Sequence, residues 1–237
     1  MERRSSLATL SGVVLLVALG TAAGAADKHP FGDNVTVTFT DTHMIVESDG
    51  IPTHETGVFP NRDNPNSILR QHYRFSIPLQ PRIADQPTKT GMGPIGVAIN
   101  GVPFYNQYNA EGGDAVLLEK FDACKGHPDQ RGHYHYHQYS PCLAKDRAGA
   151  HSSIIGYAFD WFAIYGPNGE DGRPPADLDE CNGHTDKARG YHYHVTEKFP
   201  YVLGAYKGVV EERNIRSGRP PGPPPGRPPF GRPPGPP

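Results

Sequence analysis

The residues best suited to chemistry occur twice. Tyr134-His135-Tyr136-His137 follows Asp122-Ala123-Cys124-Lys125-Gly126-His127, and Tyr191-His192-Tyr193-His194 follows Asp179-Glu180-Cys181-Asn182-Gly183-His184. Cysteine to the first strand histidine is 11 positions in both copies, and the Gly-His histidine stands 8 positions before that same residue in both. Side chains alternate along a β-strand, so each tetrapeptide turns its tyrosines one way and its histidines the other. Histidines two apart on a strand are roughly 6.6 Å apart along the chain. Their imidazoles can lean onto one ion, with nitrogen to metal distances of about 2.0–2.1 Å for zinc. If the copies face each other, His135, His137, His192 and His194 supply up to four nitrogens, and His127 and His184 complete one site or build two. Imidazole-rich sets suit Zn, Cu or Ni, with Zn or Cu the cofactor expected here. Asp122 and Asp179 are the expected partners that fix the tautomer of a ligating histidine.

Other chemistry finds less support. The chain has no Gly-x-Ser-x-Gly elbow, no His-Glu-x-x-His and no phosphate-cradling glycine loop with lysine. A metal-dependent hydrolase is one alternative, with water activated at an open coordination position and Asp122, Asp179 or a spare histidine as base. Another is a metal-free extracellular interaction or wall-binding module, in which the histidines are solvated or bonded to backbone and the tyrosine faces and tail hold a partner. Three cysteines are present, Cys124, Cys142 and Cys181. Cys124 and Cys142 flank the first tetrapeptide and a bridge between them would stabilise by about 3 kcal/mol on the chain-entropy model. Cys124 with Cys181 is the rival pairing, and a free Cys181 could instead serve as a soft thiolate ligand.

The elements that would carry these residues read as β. Val35 to Thr40 alternates strictly and predicts a half-buried strand; His43 to Glu47 and Tyr73 to Leu79 predict two more. Prolines between 52 and 87 leave no room for a long helix, and Val116 to Phe121 is the one short helical turn expected. Ile95-Gly96-Val97-Ala98 and Ile155-Gly156-Tyr157-Ala158 open two similar hairpins. Asn100-Gly101 suggests a type I′ turn in the first, whereas Trp161 at the matching place resists positive φ, so the second turn is expected to differ. The fold expected is mainly β: duplicated hairpin units, about 95–142 and 155–208, forming a sandwich or barrel about a pseudo-two-fold axis, with long loops and little helix.

Composition sets the boundaries. Residues 1–26 have a basic start at Arg3 and Arg4, an apolar run and small residues near Ala25, the pattern of a cleaved secretory signal peptide, so the expected location is secreted or periplasmic. Residues 218–237 hold 11 of the 26 prolines and read as a disordered Pro/Gly-rich tail, a possible contact for a cell-wall or protein partner. The formal charge is -2, and both ends are net positive, so the body between them is more acidic than the total. That argues against a nucleic-acid surface. No later stretch is apolar enough to span a membrane.

The two blocks, with Ile155-Gly156-Tyr157-Ala158 and Phe199-Pro200-Tyr201-Val202-Leu203-Gly204, resemble the YHYH-protein family. Ser48 to His54, Phe59-Pro60 and Asn64-Pro65-Asn66 are similar to its upstream part, so the likeness covers about residues 35–208 of a domain placed at 27–217. The resemblance implies a secreted domain found widely in bacteria and brings no biochemical activity with it. It adds His54 as a further candidate ligand. Where this chain has Trp161 and Ala205 the family usually has glycine and cysteine. Loss of that cysteine implies an orphaned Cys181 and a Cys124 to Cys142 bridge.

Overall fold

The computed structural model describes residues 29–211 and 213–214, so the expected signal peptide (1–26) and tail (218–237) lie outside the described residues. Alternation builds the first sheet. Strands β1 (Thr36–Phe39), β2 (His43–Ser48) and β3 (Tyr73–Pro78) pair antiparallel in the order β1-β2-β3, close to the three expected spans. In β1 the threonines are exposed while Val37 and Phe39 pack against the core. Next comes β4 (Ile83–Lys89), which lies outside this sheet.

Eight short strands form the second sheet: β5 (Pro94–Ala98), β6 (Pro103–Tyr105), β7 (Gly126–Pro128), β8 (Tyr134–Tyr136), β9 (Ile154–Ala158), β10 (Ala163–Tyr165), β11 (Gly183–Asp186) and β12 (Gly190–His194). Their order is β11-β12-β10-β9-β5-β6-β8-β7. The antiparallel pair β5 and β9 is central, and the same steps run outward on each side of it. On one side β5 pairs antiparallel with β6, β6 parallel with β8, and β8 antiparallel with β7. On the other, β9, β10, β12 and β11 follow the same succession. Glycine makes the centre possible. A Cβ on Gly96 would lie 2.6 Å from the Tyr157 carbonyl oxygen, and one on Gly156 would lie 2.4 Å from that of Val97.

Both hairpin turns share one form, and this corrects two expectations. In the first, Gly101 N–H donates to Ala98 O and Ala98 N–H to Val102 O; in the second, Trp161 donates to Ala158 and Ala158 to Phe162. Gly101 has φ 80° and Trp161 φ 81°, while Asn100 is not in the left-handed region. The loops are therefore three-residue turns ending in a left-handed residue, not type I′ turns. Trp161 accepts a conformation that costs a side-chain-bearing residue about 1–2 kcal/mol, and its indole stacks on the Tyr157 ring with centroids 4.5 Å apart.

The helical turn α1 (Ala115–Leu118) starts one residue before its expected place and is capped by Asp114, whose side chain accepts from the Val116 and Leu117 N–H groups. Strand β13 (Ala205–Gly208) pairs with β4, and Pro87, which has no N–H to donate, falls where that register shifts. The core joins both large sheets: Val46, Phe75 and Ile77 cluster with Ile95, Val97, Ile155 and Ile164, and the Phe75 and Phe159 rings meet at 5.2 Å.

Cys124 and Cys142 are bridged and Cys181 is free and buried in the core, as the family resemblance implied. Replacing both bridged cysteines by serine should lower the unfolding free energy by about 3 kcal/mol in a denaturant titration. An unchanged midpoint and slope would show that the bridge constrains nothing the fold does not already hold.

Candidate metal centres

Antiparallel register brings the histidines together. His127 on β7 stands directly opposite His135 on β8, and His184 on β11 opposite His192 on β12. The 8-residue spacing shared by the two blocks is this pairing register. Each cross-strand pair gains a third ring from the next same-face position, His137 or His194.

In the first cluster His135 Nε2 lies 3.1 Å from His127 Nε2 and 3.0 Å from His137 Nε2. In the second, His192 Nε2 lies 3.2 Å from the Nε2 atoms of both His184 and His194, and 3.3 Å from that of His151. The opposite ring nitrogens are engaged elsewhere. Nδ1 of His127, His135 and His137 faces the carbonyl oxygens of Lys120, His133 and Asn106. Nδ1 of His151, His192 and His194 faces those of Ser152, Gly190 and Gly166, and Nδ1 of His184 faces the Asp177 carboxylate. A carbonyl can only accept, so the ring proton sits on Nδ1 and the Nε2 lone pairs point at one another. Lone pairs cannot bond to each other. Two nitrogens about 2.05 Å from one ion stand about 2.9 Å apart at a right angle and about 3.3 Å apart at the tetrahedral angle, which is the range of separations from His135 and from His192 to their neighbours.

The clusters are two centres, not one. Five strand spacings separate β8 from β12, about 24 Å at about 4.8 Å each, so the copies do not face each other across a shared site. Tyr105 at the end of β6 stacks on His135 at 3.9 Å, and Tyr165 at the end of β10 packs against His192 at 5.0 Å. His127, His135 and His137 line the wall of an open cleft of about 520 Å³.

The aspartates serve the tyrosine face instead of the histidines. Asp122 accepts from the Cys124 and Gly126 N–H groups and from the Tyr134 hydroxyl at 2.7 Å. Asp179 accepts from Cys181, Gly183 and the Tyr191 hydroxyl in the same way, and pairs with Lys207. The role expected of them at the metal ligands falls to backbone carbonyls. His54 is also on the tyrosine face, with Nε2 2.6 Å from the Tyr136 hydroxyl, and the neighbouring sulfurs of Cys124 and Cys142 are committed to their bridge. Burial pushes the Cys181 thiol up to about 11, which leaves it a protonated core residue and not a thiolate ligand.

Two residues of the centres lie outside the repeated blocks. His151 stands four positions before Ile155, where the first half has Gly91 four before Ile95, so the repeat itself conceals it. Glu119 Oε2 lies 3.4 Å from His127 Nε2 and 3.5 Å from His137 Nε2. Its only sequence signal was a place in the expected helical turn.

A β-rich, disulfide-bridged domain with paired histidine clusters is the class this architecture defines. Residues 74–173 match the family profile described as YHYH protein. The match takes in the first block and His151 and ends before the second block, whose spacing repeats the first. No curated protein and no solved structure matches the chain.

Burial pushes the imidazolium forms of His127, His137 and His194 down to about 4, and lowers His135 and His192 as well. The rings are neutral at pH 7, the form that binds metal. With folded values below the unfolded one near 6.5, the unfolded chain takes up more protons as pH falls. Metal-free protein should therefore lose stability between about pH 6.5 and about pH 4, by at most about 1.4 kcal/mol per pH unit for each fully shifted histidine. Denaturant titrations across that range test the sign; stability that rises on acidification contradicts it.

Proposed function

We propose that this is a secreted or periplasmic protein that binds two transition-metal ions, Zn or Cu, one at each histidine cluster. The observation that carries the reading is the convergence of Nε2 atoms on His135 and on His192 at 3.0–3.3 Å while every partner Nδ1 is engaged. An array of acceptors without a donor is unfavourable when buried unless a cation sits among them. The disulfide and the signal-like residues 1–26 support an oxidising compartment. Among the described residues no helix is long and apolar enough to cross a membrane. The cleft at the first centre favours a metal-dependent hydrolase as the second reading, because an ion there would be reachable by a small substrate.

Purified protein reconstituted with Zn or Cu should hold two ions per chain by elemental analysis. His135→Ala should hold one, His192→Ala one, and the double variant none. Ion at about 100 times its dissociation constant should add about 2.7 kcal/mol of stability per centre. A chelator-insensitive melt together with no bound metal after reconstitution would overturn the reading in favour of a metal-free interaction module. A hydrolytic activity, if found, should vanish in His135→Ala and survive deletion of residues 218–237; the converse pattern rejects the second reading.

A further inference from the structure

The group that joins the hairpin histidines is Glu119 in the first centre and His151 in the second. Glu119 follows α1 directly, and its N–H closes that turn by donating to the Ala115 carbonyl. The turn is held from outside as well, since the Tyr201 hydroxyl donates to Asp114, the residue that caps it. Two consecutive residues then grip one imidazole from both sides: the Lys120 carbonyl takes His127 Nδ1, and the Glu119 carboxylate reaches toward Nε2 of the same ring.

Glu119 Oε2 is buried and has no hydrogen-bond partner. The Nε2 atoms 3.4 and 3.5 Å from it carry lone pairs and not protons, because their rings hold the proton on Nδ1. An anionic oxygen aimed at two lone pairs is repelled by them and has lost its water. The same two separations are those of oxygen and nitrogen ligands about 2.0–2.1 Å from one ion at close to the tetrahedral angle.

We propose that Glu119 is the fourth protein ligand of the first centre, which makes it a three-histidine, one-carboxylate site for a divalent first-row ion, distinct from the all-imidazole second centre. The proposal rests on the reading that the first cluster binds metal. In the second cluster the group added to the hairpin histidines is an imidazole, His151, with Nε2 3.3 Å from that of His192, and the Asp186 carboxylate, 3.9 Å from His192 Nε2, is engaged by Arg189. An anionic oxygen lowers the net charge of the first centre and favours harder ions than imidazole alone does.

The test uses the full chain carrying His192→Ala and His194→Ala, so that the first centre alone is read. Zinc affinity is measured by competition with a chromogenic chelator, and the visible absorption of Co(II) reports its ligand set. Glu119→Gln should weaken zinc binding by about 10-fold or more and change the Co(II) spectrum. Glu111→Gln, which removes a nearby charge from the same cleft, should leave the spectrum intact. Metal-free Glu119→Gln should melt no lower than its parent, since an unpartnered carboxylate is lost. Unchanged affinity and spectrum in Glu119→Gln would overturn the proposal, as would equal weakening in both variants with neither spectrum altered, or a lower metal-free melt with the spectrum retained. If the parent background binds no metal at all, the metal reading of this cluster falls, an outcome distinct from failure of the Glu119 assignment.

Discussion

Everything about the two clusters depends on where seven ring protons sit. Each Nδ1 faces an acceptor supplied by the framework, six of them backbone carbonyls, and this leaves each Nε2 as a lone pair. Were the tautomers free, the rings could bond to one another in chains and the clusters would be ordinary buried histidine networks. Fixing them from the main chain removes that escape. Carbonyls do not titrate, so six of the seven rings keep this orientation whatever the charge of neighbouring side chains, and only His184 depends on a carboxylate, that of Asp177.

The opposite face of the same strands explains why the rings hold their places. Tyr134 and Tyr191 anchor on Asp122 and Asp179, which also close the turns that carry Lys125 and Asn182 in the left-handed region at φ 63° and 66°. Tyr136 and Tyr193 anchor on Asn100 and Asp160, the matching residues of the two hairpin turns. Gly126 and Gly183 are required beneath the first tyrosine of each pair, where a Cβ would come within 2.3 Å and 2.2 Å of the ring or hydroxyl. The histidines are thus set by hydroxyl groups that never touch them.

Much of this was legible in the sequence, and the failures have physical causes. Alternation gave the strands β1 to β3 and the separation of tyrosine from histidine faces, since period two is a local property. Equal spacings gave His127 and His184 as companions of the strand pairs, because a hairpin converts sequence distance into register. What spacing could not convey was how far apart the copies lie: the sheet places β5 and β9 together and carries the two histidine strands to opposite ends. Glu119 and His151 were missed because they reach the centres through tertiary placement, from a helical turn and from the approach to β9. Asp122 and Asp179 were assigned by chemical type to a partner that backbone carbonyls already served. Trp161 shows packing overriding local preference, with a stacked tyrosine offsetting an unfavourable backbone.

The hairpin tips beside the centres have one length and different compositions. Beyond the paired histidines the first hairpin continues to Asp129, whose N–H donates to the His133 carbonyl, and the second to Asp186 opposite Gly190, so three residues close each turn, Gln130-Arg131-Gly132 and Lys187-Ala188-Arg189. A single added residue inside β8 or β12 would exchange tyrosine for histidine on every following position. The domain therefore separates what varies from what does not. The chemistry at the tips, and in the first copy at the adjoining edge of the cleft, differs between the copies, while the count of residues that sets the histidine register is the same in both.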